Sequence, residues 1–172
     1  MGVLRCTSKY RKALGFPERL DEPPLRPTNA LGEWYANTLN VGALRLLHYH
    51  SSGSRLSVIV PLSPRKTAEA RFVAALDELL GQLGASAAQK DQEIGALLPF
   101  TYGRATDRSV LSTLRDHGHG VKWDLHFGHA HSPTQLTWRL AETPCGPLNG
   151  RSPDAVTLEL LRDAFEHSRL VG

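Results

Sequence analysis

The sequence predicts a single α+β domain, a small and mostly antiparallel sheet with helices packed on one face. Three observations carry that reading. Residues 33–62 hold three successive strand-like stretches separated by short turn signals. Residues 72–83 hold one apolar stripe at helical spacing. The 172 residues suffice for one well-buried core and are short for two, so 1–172 reads as one unit.

Each element has its own signal. Val3, Leu4 and Cys6 make 3–7 a short strand, and Ser8 caps a basic helical turn that Gly15 stops and Pro17 keeps from resuming. Residues 17–27 hold four prolines with acidic residues between them and read as a connection. The stretches 33–41, 44–50 and 56–62 follow, with Gly42 at one turn and Ser51-Ser52-Gly53-Ser54 at the other, as an antiparallel meander. Ser63-Pro64 then offers an N-cap and a first-turn proline for the stripe Phe72, Leu76, Leu79, Leu80 and Leu83, which Gly84 ends. A weaker helix over 85–94 and a returning strand over 97–102 come next. Asp107 caps a helix carrying Val110, Leu111 and Leu114, whereas 117–131, rich in glycine and histidine, reads as a mobile polar loop. Residues 133–141 and 153–168 close the chain as helices, with Val156, Leu160, Leu161 and Ala164 on the buried side of the second.

Composition narrows the function. Twenty Lys and Arg against seventeen Asp and Glu leave +3, with the signs mixed along the chain, so no direct nucleic-acid contact is expected. No apolar run approaches the 18–20 residues that span a bilayer, so no membrane contact is expected either. Cys6 and Cys145 make no disulfide framework, which points to a reduced, cytoplasmic setting.

Chemistry is sparse. No Gly-x-Ser-x-Gly and no phosphate-cradling glycine loop occurs, so the expectation is a protein that is not an enzyme and needs no cofactor. The one candidate for metal chemistry is the histidine tract 117–131, with His117, His119, His126, His129 and His131 beside Asp116 and Asp124. A metal-dependent hydrolase or nuclease is the alternative it offers. Its glycines make a poor platform for a rigid site, and no acidic cluster accompanies it to hold a hard cation.

The N-terminal segment 9–16 offers a different kind of site. Arg11-Lys12-Ala13-Leu14-Gly15-Phe16 matches the two apolar anchors, Leu14 and Phe16, of the Gln-Leu-x-Leu-x-Leu/Phe motif by which bacterial sliding-clamp ligands bind. Two apolar side chains two residues apart can enter one hydrophobic pocket, supplying roughly 3–6 kcal/mol before ordering costs. Arg11 stands where the motif has Gln. The same residues also fit a helix end, with Leu14 as its last buried residue and Gly15 as its C-cap. A second window, Gln135–Leu140, keeps the glutamine and both outer leucines but has Trp138 at the centre.

Several short pieces carry a resemblance. Arg5-Cys6-Thr7-x-Lys9, Leu31-Gly32-x-Trp34-x-Ala36-Asn37, Asp107-Arg108-Ser109-Val110-Leu111 and Glu142-Thr143-Pro144 resemble a widespread bacterial family of small domains, and within it the SocB toxins of SocAB toxin–antitoxin systems. That resemblance implies a toxin that occupies the peptide pocket of the DNA polymerase sliding clamp (the polymerase III beta subunit), displaces its clients and blocks replication elongation. It implies Arg11, Lys12, Ala13, Leu14, Gly15 and Phe16 as the clamp-binding segment. It implies as further partners the antitoxin SocA, a proteolytic adaptor, and the ClpXP protease.

Overall fold

Alternating side chains build the sheet, and in the computed structural model, which describes residues 1–23 and 26–172, both of its faces are covered. Five strands, β1 (Gly2–Cys6), β2 (Trp34–Val41), β3 (Leu44–Ser51), β4 (Ser57–Pro61) and β5 (Phe100–Arg104), lie in the order β4-β3-β2-β1-β5. The meander β2-β3-β4 is antiparallel as expected and carries most of the paired residues, while β1 runs parallel to both β2 and β5. The α+β class therefore holds for a single domain.

Residues of one parity, Leu4, Cys6, Trp34, Ala36, Leu47, Tyr49, Val58 and Val60, form the first face. Against it pack α1 (Ser8–Leu14) through Tyr10 and α2 (Ala68–Leu83) through Phe72, Leu76, Leu79 and Leu80. Phe72 stacks on Tyr49 at 4.1 Å and meets Trp34 edge-on at 5.0 Å, an arrangement aromatic pairs favour. Then α3 (Ala87–Leu97) and α6 (Pro153–Val171) extend this layer through Leu97 and Leu161.

The opposite parity makes a second core where one helical layer had been expected. Leu39, Leu46 and Ile59 pack on Val121, Leu136 and Leu140 of α4 (Arg108–His126) and α5 (Pro133–Ala141), and Tyr35 packs on Val110 and Leu114. Helices thus cover both faces. The reason is visible in β3 and β4, where Leu46 and Ile59 interrupt what would be a solvent-facing polar row.

Local signals set most boundaries. Gly15 and Gly84 end α1 and α2 in the left-handed region at φ 74° and 109°, where a side chain would be strained. Thr7, not Ser8, caps α1 by accepting from the Tyr10 N–H. Ser63-Pro64 leads into a 3₁₀ turn, Arg65–Thr67, so α2 starts at Ala68. The capping box of Ser86 and Gln89 starts α3 and carries it to Leu97, beyond the expected end. Of the proline-rich connection 17–27, Pro24 and Leu25 lie outside the described residues; Glu22 within it takes two hydrogen bonds from Arg5 of β1. The residues that follow it are held by Glu93 of α3, a buried carboxylate that accepts from Asn29 Nδ2, the Ala30 N–H and the Leu31 N–H at 2.9, 2.7 and 3.1 Å. Among the described residues no helix is long and apolar enough to cross a membrane.

Candidate functional site

The segment 9–16 occupies the end of α1. Arg11 turns its guanidinium back onto the Glu18 carbonyl, and the Phe16 N–H donates to the Arg11 carbonyl at 2.9 Å, closing the helix over Gly15. Leu14 and Phe16 are half-buried against the first core, with the Phe16 ring 4.8 Å from Tyr102 and 5.9 Å from Tyr10. Lys12 and Gly15 are exposed. The two apolar side chains are therefore turned toward this chain's own rings. In the second window, Leu136 and Leu140 lie in the core and Gln135 begins α5 on its surface.

The outer face of α1 forms one wall of a cleft of about 840 Å³. The first turn of α1 follows directly from β1, and α4 stands across from it over β2 and β3. Leu39, Leu62 and Leu114 make an apolar floor, with Thr7, Asn37 and Asn40 as polar groups among them. The rim is cationic: Lys9 and Lys12 from α1, Arg45 from β3, Arg65 from the 3₁₀ turn, and Arg115 and Lys122 from α4. All six are exposed, no Asp or Glu lines the cleft, and none of the six belongs to a salt bridge among the described residues. With six of twenty Lys and Arg gathered here, the other fourteen face seventeen acids, so the rest of the chain is acidic by three. The modest net charge concealed this concentration because it averages over the surface.

Gly118 makes the cleft's geometry possible. A Cβ there would sit 3.1 Å from Leu39 Cδ2, so its absence lets α4 lie close on β2. Gly118 and Gly120 lie within a continuous helix that runs to His126, which corrects the expectation of a loop across 117–131. The apolar positions Val110, Leu114 and Val121 anchor α4 on the sheet and override two weak helix formers.

That helix separates the histidines. His119 lines the cleft, and His126 and His129 sit beside the exposed Phe127 ring. Asp124 is engaged by Arg139 of α5 at 2.8 Å and meets His129 Nδ1 at 3.4 Å, the one close pairing within the tract among the described residues. The tract therefore converges on no common point. His117 alone points inward, to a place the sequence reading did not single out. Its Nδ1 lies 3.0 Å from Ser57 Oγ of β4, which is also 2.8 Å from His48 Nε2 and 2.9 Å from His50 Nδ1. His117 Nε2 lies 3.3 Å from the buried Cys145 thiol.

Burial keeps the three rings neutral. It pulls His48 down to about 3 and His117 to about 4, and pulls His50 well below its usual value, with the neighbouring imidazoles adding to the effect on His48 and His50. The same desolvation pushes the Cys145 thiol up. A signal for this cluster existed in the sequence: His48 and His50 stand two apart in a strand, which puts both on one face. Nothing local tied them to His117 or Ser57.

The model of the family described as a domain of unknown function, DUF6933, matches residues 3–156. The chain belongs to the DUF6933 family. The match takes in β2 to β5 and all of β1 but Gly2 in this DUF6933 domain, with the whole cleft rim and the histidine cluster, and ends in the first turn of α6. No curated protein and no solved structure matches the chain.

Proposed function

We propose that this DUF6933 protein works by binding rather than by chemistry, and that the cleft between α1 and α4 takes a phosphate-bearing ligand, a nucleotide or a nucleic-acid strand. The observation that carries this reading is the convergence of six Lys and Arg on one cleft without a single acid, in a chain otherwise acidic by three. Arginine forks and lysine ammoniums suit phosphate oxygens, and a volume of about 840 Å³ suits a ligand of nucleotide size. Fluorescence anisotropy with a labelled nucleotide and a labelled single-stranded oligonucleotide tests it and separates the two ligands. Arg115→Glu with Lys122→Glu should weaken binding at least tenfold, and strand affinity should fall with salt at a log–log slope approaching about −4 if all six cations engage. Affinity unchanged in the double variant overturns the assignment.

A second reading rests on the segment 9–16 at the end of α1, where Leu14 and Phe16 are only half-buried and Lys9, Lys12 and Gly15 are exposed. In it, the protein is the clamp-blocking toxin that the resemblance to SocB implies, acting in the cytoplasm with SocA and ClpXP as partners. The segment 11–16 would then leave the end of α1 to enter the clamp pocket as an extended strand. A pull-down against the sliding clamp, competed with a client peptide, decides it. No capture, or capture that the peptide does not relieve, removes the clamp.

A further inference from the structure

We propose that His48, His50 and His117 form a structural binding site for one borderline divalent cation, zinc above all. The three side chains come from two elements, β3 and α4, and one nitrogen from each lies within 4.8 Å of the others. They are enclosed, at 0%, 0% and 5% exposure. An all-imidazole donor set suits zinc, copper or nickel and offers nothing to magnesium or calcium, which require oxygen. Their neutrality is the protonation state a metal ligand needs.

Hydrogen bonding alone leaves this cluster incompletely satisfied. The Ser57 hydroxyl can donate once and accept twice, which accounts for one nitrogen of each ring. Among the described residues His48 Nδ1 and His50 Nε2, the nitrogens turned away from Ser57, are buried with no partner, and a cation held by the Ser57-facing nitrogens leaves them so. Three imidazoles buried around one hydroxyl are therefore an expensive way to fill a core that Leu or Val would fill without cost.

The geometry lies close to that of a metal centre. A cation held among the three nitrogens, clear of Ser57 Cβ, needs Zn–N distances of 2.0–2.1 Å, which set tetrahedral ligand nitrogens about 3.3 Å apart. Nitrogens now within 4.8 Å of one another must therefore close in by about 1.5 Å at most. The hydroxyl or a water then supplies the fourth ligand. Cys145 stands behind His117 at 3.3 Å; with its own hydrogen given to the Thr143 carbonyl at 3.5 Å, its sulfur is free to accept from Nε2–H, the tautomer that presents Nδ1. Bound there, the cation would tie α4 to β3.

The test uses the full chain. After zinc or cobalt loading and gel filtration, the protein should retain about one ion per chain. Excess zinc should raise Tm by roughly 5–10 °C. Cobalt should give the visible absorption of a tetrahedral site. His117→Gln should lose all three effects, and Ser57→Ala, which keeps every imidazole, should retain the ion even where His117→Gln fails to fold. Replacing the exposed His126, His129 and His131 together by Gln should change nothing. A wild type that retains no ion, an ion lost with the exposed histidines, or a Ser57→Ala protein that folds and binds no ion overturns the proposal.

Discussion

Phe16 could serve a partner or its own core, and its ring sits 4.8 Å from Tyr102. Leu14→Ala with Phe16→Ala should therefore cost about 2–4 kcal/mol of stability in urea denaturation, less than two fully buried sites would. A loss under about 1 kcal/mol would show the pair to be held for a partner instead. Glu93 is the opposite case, a charged side chain nothing in the sequence marked. Burial raises its pKa against the pull of its three donors, and removing it leaves the Ala30 and Leu31 N–H groups without an acceptor. Glu93→Ala should destabilise by about 2–4 kcal/mol. Glu93 escapes sequence reading because its partner Leu31 stands 62 positions away along the chain, and Ser57 because His117, which completes its cluster, stands 60 away.

At the scale of elements, periodicity was the legible part. The stripe of α2 and the alternation of β2-β3-β4 each repeat within a short window, so local sequence sufficed to place them. The second half of α4 was not legible, because Gly118 and Gly120 favour no helix and the reason for one lies in distant residues it packs against, Leu39 of β2 and Leu140 of α5. The two glycines should respond differently to alanine. At Gly120 the nearest atom to a new Cβ is 4.0 Å away, so Gly120→Ala should gain about 0.5–1 kcal/mol from helix propensity. At Gly118 the contact of 3.1 Å offsets that gain. Thermal melts of the two variants, with Gly120→Ala the higher, check the packing of α4 on the sheet.

Over the whole molecule, the histidine cluster sets an acid limit. In the metal-free protein His48 and His117 stay neutral down to about 3 and 4, with Arg55 and Asp116 the charged groups nearby, while in the unfolded chain all three rings protonate near 6.5. Protons then bind the unfolded state preferentially, so stability is full above about pH 6.5 and falls as pH drops toward 4. Three rings together set a slope of up to about 4 kcal/mol per pH unit. Urea midpoints measured from pH 7 to pH 4.5 should trace this fall, and a flat profile would mean the rings are open to solvent. Neither the whole cluster nor the cleft could be read from the chain: His48 and His50 show their shared face within β3, but only the fold brings α4 to them and to Arg45.

The segregation of charge at the cleft has a consequence for encounter as well as for binding. A body carrying six cations at one place and a surplus of acids elsewhere has a dipole, and a dipole turns in the field of a polyanion before contact. Diffusing ligands would thus be met mouth-first. The torque acts over about one Debye length, ~8 Å at physiological ionic strength, and shortens with added salt. Association would slow with salt even where every contact in the bound state survives.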